Sequence, residues 1–195
     1  MKERCNKLLS HIRNSCTDAV MITSPINIRY FSGFTGSNGV LVITKNAQVL
    51  FTDFRYTIQA GIETKGLFEV REVRGAINHD VIGDFLGEQK CSFCGYEEEH
   101  MTVKLYLSFK KMPCELVEIS RLLARIRMTK SSEEIEKIIK AQNISDKAFA
   151  ELLNMLSVGM TEREVANELD YFLKKFGADE PSFDTIIASG PNGAL

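Results

Sequence analysis

No apolar run in the chain approaches the ~20 residues of a membrane-spanning helix, so a helical span is excluded. An excess of basic charge is missing as well. The 24 Lys and Arg stand against 26 Asp and Glu. No positive field is available to hold a phosphate backbone, which argues against nucleic acid as a partner. The first residues, MKERCNKLLSHIRNSC, carry the charge pattern of an amphipathic helix and lack the apolar stretch of a signal peptide. Histidine is scarce: His11, His79 and His100 stand alone and no H-E-x-x-H run occurs. Surface or helix-capping roles are the default for them, and no Ser/His/Asp set is argued without geometry. Five cysteines, an odd number at irregular spacing, do not make a disulfide scaffold and point to reduced thiols in the cytoplasm. Cys91 and Cys94 form a C-x-x-C pair, but the second pair of a zinc ribbon is missing, with only Cys114 and His100 nearby. The pair lies in a strand pattern, where residues three apart face opposite ways, so buried or half-buried thiols are expected. A dinucleotide fingerprint is missing too. Gly33, Gly36 and Gly39 are spaced G-x-x-G-x-x-G and run into a strand, not a helix. A flexible loop before a hairpin is expected there, without a helix N-terminus for phosphate.

What is present fits a globular protein: 44% hydrophobic and 26% charged residues can build a core under a polar surface. Ala19 to Thr23 is a short buried strand. VLVIT (40–44) and QVLFT (48–52) flank Lys45-Asn46-Ala47, a three-residue hairpin loop. Asp53 to Gly61 is expected as a helix capped by Asp53. FEVREV alternates with the period of a half-buried strand. Asn78 to Leu86 is helical, Cys91 to Gly95 a strand, and Thr102 opens another helix. Leu116 to Ile119 is a last strand before a helix over Arg121 to Arg127. Alternating strands and helices predict an α/β domain of about 125 residues, with one antiparallel pair supplied by the hairpin.

The character changes near Met128. A long helix follows Ser131, which forms a capping box with Glu134. Its apolar face runs from Ile135, Ile138 and Ile139 to Leu152, Leu153 and Leu156, and Gly159 is expected to stop it. Thr161 and Glu164 form a second capping box ahead of a helix that ends at Gly177. Phe183 to Ala188 then reads as a strand, Ser189 to Gly193 as a turn, and Ala194-Leu195 as the start of another strand. A first helix of about 35–40 Å at 1.5 Å per residue has an apolar stripe that one strand cannot cover. Residues 131–195 are therefore expected to open a larger second domain, or else to pack back as an appended helical hairpin.

Carboxylates give no complete active site. Glu97-Glu98-Glu99 reads as a cation site or a solvated turn. Asp179 and Glu180 are adjacent and cannot share a helix face. Asp184 is a lone strand-edge carboxylate. No cluster for a dinuclear metal site emerges.

Four stretches, INIRYFSGFTGSNGVLVIT, VLFTDFRYTIQA, RMTKSSEEIEKI and FDTIIASGPNGAL, occur in that order and span nearly the whole chain. Together they resemble the Xaa-Pro aminopeptidase and Xaa-Pro dipeptidase (prolidase) branch of the creatinase-like, pita-bread metallopeptidases. The resemblance implies a creatinase-type N-terminal domain over 1–127, a mixed sheet flanked by helices, and a junction over 128–132. Residues 133–195 would be the first two helices and first strand of a truncated α+β pita-bread catalytic domain. Family members hydrolyse the bond between an N-terminal residue and proline with two divalent ions, commonly manganese, held by two Asp, one His and two Glu. All five ligand positions fall beyond FDTIIASGPNGAL, and a substrate-contacting histidine is expected just after Leu195. The resemblance thus implies no catalytic and no metal-binding residue here. It implies a chain inert on its own, the front portion of a cytoplasmic hydrolase that works as a homodimer.

In relatives, loops of this N-terminal domain reach the neighbouring subunit's active-site mouth. The matching positions are Phe34 to Asn38 and Asp53 to Tyr56, which makes Arg55 and Asn38 the substrate-binding candidates. The planar fork of Arg55 suits a substrate carboxylate, or else serves a structural ion pair with Asp53 or Glu63. Asn38 is either a turn residue before Gly39 or a ligand contact. Two other readings stay open: a non-catalytic interaction or dimerisation module of the same fold, and creatinase itself.

Overall fold

Six segments become strands in the computed structural model, which describes residues 2–194. They are β1 (Ala19–Ile22), β2 (Gly39–Thr44), β3 (Gln48–Thr52), β4 (Glu69–Glu72), β5 (Phe93–Tyr96) and β6 (Glu115–Glu118). They form one sheet in the order β4-β3-β2-β1-β5-β6. The hairpin pairs Val42 with Val49 and Gly39 with Thr52, antiparallel as expected. β1 and β2 are antiparallel too, a second such pair where one was expected. The reason is a helix that the sequence reading passed over, α2 (Pro25–Ser32), which returns the chain beside β1 in the opposite sense. Its signal was Pro25 at the first helical position after Ser24. The other three pairs are parallel.

Period-two alternation divides each central strand between two layers. Val20 and Ile22 of β1, with Leu41 and Ile43 of β2, face one layer. That layer holds α1 (Lys2–Asn14), α2, α3 (Thr57–Glu63) and α6 (Ser120–Met128) through Leu8, Phe31, Ala60 and Leu123. Ala19, Met21, Val40 and Val42 face the opposite layer, built from α4 (His79–Glu88) and α5 (Val103–Phe109) through Ile82, Phe85 and Phe109. Each fully buried Leu, Ile or Phe contributes roughly 1.5–3 kcal/mol against exposure. The two clusters packed on the faces of the sheet therefore carry most of the hydrophobic stabilisation.

Two elements differ from expectation. β5 begins at Phe93, not Cys91, because the N–H groups of Ser92 and Phe93 donate to the Asp18 carboxylate (3.0 and 3.2 Å). Cys91 N–H donates to Leu86 at the end of α4. Helix α3 begins at Thr57, and Asp53 does not cap it.

The chain divides into two units, Met1–Thr129 and Lys130–Leu195. The second contains α7 (Ser132–Met155) and α8 (Glu162–Lys175). Both expected capping boxes are present. Ser131 accepts from Glu134 N–H while the Glu134 carboxylate accepts from Ser131 N–H, and Thr161 and Glu164 do the same. α7 ends at Met155, ahead of Gly159, because Leu156 takes extended backbone. α8 closes with paired bonds from Gly177 N–H to Lys174 and from Ala178 N–H to Leu173. Residues 183–188 do not form the expected strand. Among the described residues their backbone meets no partner strand, and a lone extended segment has no ladder to join. A short 3-10 turn, Gly190–Ala194, stands where the turn and next strand were expected. Met1, the start of the expected N-terminal helix, and Leu195, in the expected last strand, lie outside the described residues. Ile135, Ile138, Ile139, Phe149 and Leu153 of α7 are exposed.

Candidate functional site

The loop after α2 is pinned at five of its six residues, Gly33 to Asn38. Gly33 closes the helix with φ +80, a left-handed conformation that glycine adopts without a Cβ clash, and its N–H donates to Arg29. Phe34 turns into the core and meets Tyr56 edge-on at 5.8 Å. Thr35 donates through its N–H and its hydroxyl to the two Glu63 carboxylate oxygens (2.7 Å each). Gln59 Nε2 braces Thr35 Oγ1 at 2.9 Å. The Ser37 and Tyr56 hydroxyls hydrogen-bond at 2.7 Å. Thr52 Oγ1 donates to the Asn38 carbonyl at 2.7 Å. A loop expected from its glycines to be flexible is thus bolted to the β3–α3 turn and to α3.

Asp53 is the hub. Its Oδ1 accepts from Arg55 N–H (3.0 Å) and Arg55 Nε (2.9 Å). Its Oδ2 accepts from Arg55 Nη2 (2.8 Å) and Asn38 Nδ2 (2.6 Å). Asp53 as a whole is 7% exposed. Bonds from Arg55 first and Asn38 second hold it well below the usual carboxylate range. This explains the missing cap: the side chain closes its own turn toward Arg55, and Tyr56 N–H bonds to the Asp53 carbonyl (3.0 Å).

The structure therefore brings the two sequence candidates, Arg55 and Asn38, onto one carboxylate. Of the two structural partners considered for Arg55, Asp53 is the one engaged, and Glu63 is held by Thr35 and Gln59. A guanidinium has five N–H donors. Asp53 takes the Nε–Nη2 side, and the Nη1 group has no partner among the described residues. The Arg55 side chain is 56% exposed, and its guanidinium lies over the Tyr56 ring at 5.1 Å. Asn38, Ser37 and the glycine backbone on either side also line a cavity of about 340 Å³ with Thr23, Ile77 and Phe109. Ser37 and Tyr56 lie within the loop positions that the resemblance singled out, but their pairing was not foreseen, because nothing local announces a hydroxyl pair 19 residues apart.

Cys91 and Cys94 are buried, as expected, but not on opposite faces. Both pack in the α4/α5 layer with half-buried Cys114, since Cys91 precedes the strand. Burial raises the Cys91 thiol to about 11. His79 Nδ1 contacts Ser108 Oγ at 3.0 Å, and Nε2 contacts Asp80 at 3.4 Å. Asp80 is 70% exposed at the first turn of α4, so it is a solvated helix-end charge, not a buried orienting group. The acidic run Glu97-Glu98-Glu99 is only in part the solvated turn that was expected: Glu99 is exposed in a turn, but its two neighbours are engaged. Glu97 is buried against the start of α2, and Glu98 accepts from Ile119 and Ser120 N–H at the start of α6. Asp179, Glu180 and Asp184 do not converge. Among the described residues no three His, Cys, Asp or Glu side chains are grouped as a metal ion would need.

Comparison with known proteins follows the same division. Residues 4–129 match the Creatinase/Prolidase N-terminal domain, and residues 136–195 match Metallopeptidase family M24. The chain is 39% identical over 180 residues to the Bacillus subtilis peptidase YqhT, covering 91% of this chain and 50% of that protein. Its fold superposes on the Xaa-Pro dipeptidase from Bacillus anthracis with a TM-score of 0.91 at 35% identity, over 100% of this chain and 54% of the other. For the X-Pro aminopeptidase from Thermotoga maritima the values are 0.84 and 38%, over 94% and 53%. The chain spans about half the length of the relatives it matches.

Proposed function

Because the chain belongs to the creatinase/prolidase family, we propose that it is the N-terminal portion of a metal-dependent Xaa-Pro aminopeptidase or dipeptidase. The observation that carries this reading is the order of the two matches: an N-terminal-domain match over 4–129, then an M24 match over 136–195. Residues 1–127 serve as the creatinase-like domain, 128–132 as the junction, and 133–195 as the opening helices of the catalytic domain. The peptidase works with two divalent ions, manganese being the expected metal, which supply an acidified water and a polarised carbonyl. The donor set among the described residues does not fit such a centre. No hydrolytic step is therefore assigned to these side chains, and the 195-residue chain is inert alone.

The contribution of this chain is a binding platform. Arg55, held by Asp53, offers its end-on edge to a peptide carboxylate, and Asn38 stands beside it on the same anchor. The protein is a cytoplasmic homodimer. Five free thiols fit a reducing compartment. No helix among the described residues is long and apolar enough to cross a membrane. Phe54, Ile58 and Ile62, spaced four apart and 72–80% exposed, form an apolar stripe suited to a partner subunit.

The test is proline release from Xaa-Pro dipeptides with Mn²⁺. The parent sequence carrying the rest of the M24 domain is expected to release proline, and the 195-residue chain is expected to stay at blank level. An inactive parent overturns the peptidase reading; an active 195-residue chain overturns the assignment of chemistry to other residues.

A further inference from the structure

Open α/β sheets bind anionic ligands where neighbouring parallel strands send their connections to opposite faces. Here that place lies between β1 and β5, which are adjacent and parallel. From β1 the chain passes to α2 on one layer, and from β5 it passes to α5 on the other. Just ahead of α2, the N–H groups of Thr23 and of the N-cap residue Ser24 point into this crevice, as they would toward an anion. The crevice already contains one. Glu97, the first residue after β5, is 2% exposed. Its Oε2 accepts from Thr23 N–H (2.6 Å), Ser24 N–H (2.8 Å) and Thr23 Oγ1 (3.3 Å). Its Oε1 accepts from Asn27 Nδ2 (2.6 Å).

The network does not stop at α2. Asn27 Oδ1 accepts from Arg127 Nη1 (3.0 Å), in the last turn of α6. The amide has one orientation that satisfies both partners, because a flip would set oxygen against carboxylate and NH₂ against guanidinium. Arg127 also lies over the Tyr30 ring at 5.7 Å. One carboxylate thus reaches the end of β5, the start of α2 and, through Asn27, the end of α6.

We infer that Glu97 is a built-in anionic ligand: it fills the crevice where this sheet would otherwise take a small anion, and it fixes α2 and α6 around itself. The crevice is consequently closed to exogenous anions in the native chain. The domain's outward chemistry is left to the Asp53–Arg55 platform. This inference does not depend on the peptidase reading.

The test is anion rescue, with formate as a stand-in for the Glu97 carboxylate. In Glu97→Ala the urea midpoint is expected to fall below that of the wild type in chloride. It should then rise saturably with sodium formate and not with sodium chloride at equal ionic strength. The wild-type midpoint should respond alike to both salts. Equal stability of variant and wild type, or equal effects of formate and chloride on the variant, overturns the inference. A formate-specific gain in the wild type also overturns it, since the crevice would then be open. Should Glu97→Ala be unfolded in chloride, the reading is the helical circular dichroism as formate is added, and no gain refutes the role. Arg127→Met supplies an independent arm. It leaves Glu97 in place, so the variant should lose stability without formate rescue, and rescue there would mean that formate acts elsewhere.

Discussion

Two glycines in neighbouring segments should respond to alanine with opposite signs. At Gly36 an added Cβ would lie 2.2 Å from Phe34 Cζ, 2.8 Å from Phe34 Cε2 and 2.9 Å from Tyr56 Cδ1. Carbon atoms pack at about 3.5–4.0 Å, so the Phe34 ring must retreat by more than an ångström. It has little room, being 1% exposed and packed edge-on against Tyr56. Tyr56 is in turn tied to Ser37. Overpacking of this kind costs about 1–3 kcal/mol. At Gly61, inside α3, an added Cβ meets nothing within 4 Å. Gly61→Ala should therefore stabilise by roughly 0.5–1 kcal/mol through the greater helix propensity of alanine. Urea unfolding followed by circular dichroism measures both. With a slope of about 1–3 kcal/mol per molar, Gly36→Ala should lower the midpoint and Gly61→Ala raise it. A Gly36→Ala midpoint at or above wild type would show that the loop is not locked by the Phe34–Tyr56 packing. A lower midpoint for Gly61→Ala would refute the placement of that position on an open helix face.

Other consequences follow from the same structure. In the full-length parent, Arg55→Ala should raise KM for Xaa-Pro dipeptides with kcat little changed; unchanged kinetics with lower thermal stability would make Arg55 a purely structural partner of Asp53. Glu164 is held below its usual 4.5, first by the Thr161 N–H and then by the Thr161 hydroxyl. A depressed carboxyl contributes stability that is fully present above its unfolded value and is lost as pH falls through the folded one. Helical signal should therefore decline on acidification below about 4.5 with a smaller slope in Glu164→Gln, and identical slopes would contradict the capping-box role. If the α3 stripe is the subunit contact, Ile58→Asp with Ile62→Asp should convert the full-length dimer to monomer in sedimentation, and an unaltered dimer would move the contact elsewhere.

Local chemistry made much of the molecule legible in advance. The hairpin around Lys45-Asn46-Ala47, both capping boxes and the change of character near Met128 are written in residues a few positions apart. There, alternation and orphan N–H groups dictate structure without distant help. The four stretches that carried the family resemblance were legible for the same reason. Errors arose where a side chain had a choice of partner. Asp53 could have capped a helix but was taken by Arg55 and Asn38. The strand assigned to Cys91 began later because Asp18, more than 70 residues away, claimed the N–H groups of Ser92 and Phe93. Residues 183–188 have the composition of a strand and no strand to pair with.

Sequence alone therefore determined most of the helical and extended segments and their apolar faces, α2 and residues 183–188 excepted, since those properties mostly need only neighbours along the chain. Tertiary structure alone decided that Asn38 and Arg55 share one carboxylate. It likewise decided that Glu97 is buried against the start of α2 instead of facing water. A charge declares its partner only when folding removes the solvent around it, and the partner is chosen by the topology of the sheet, not by distance along the chain.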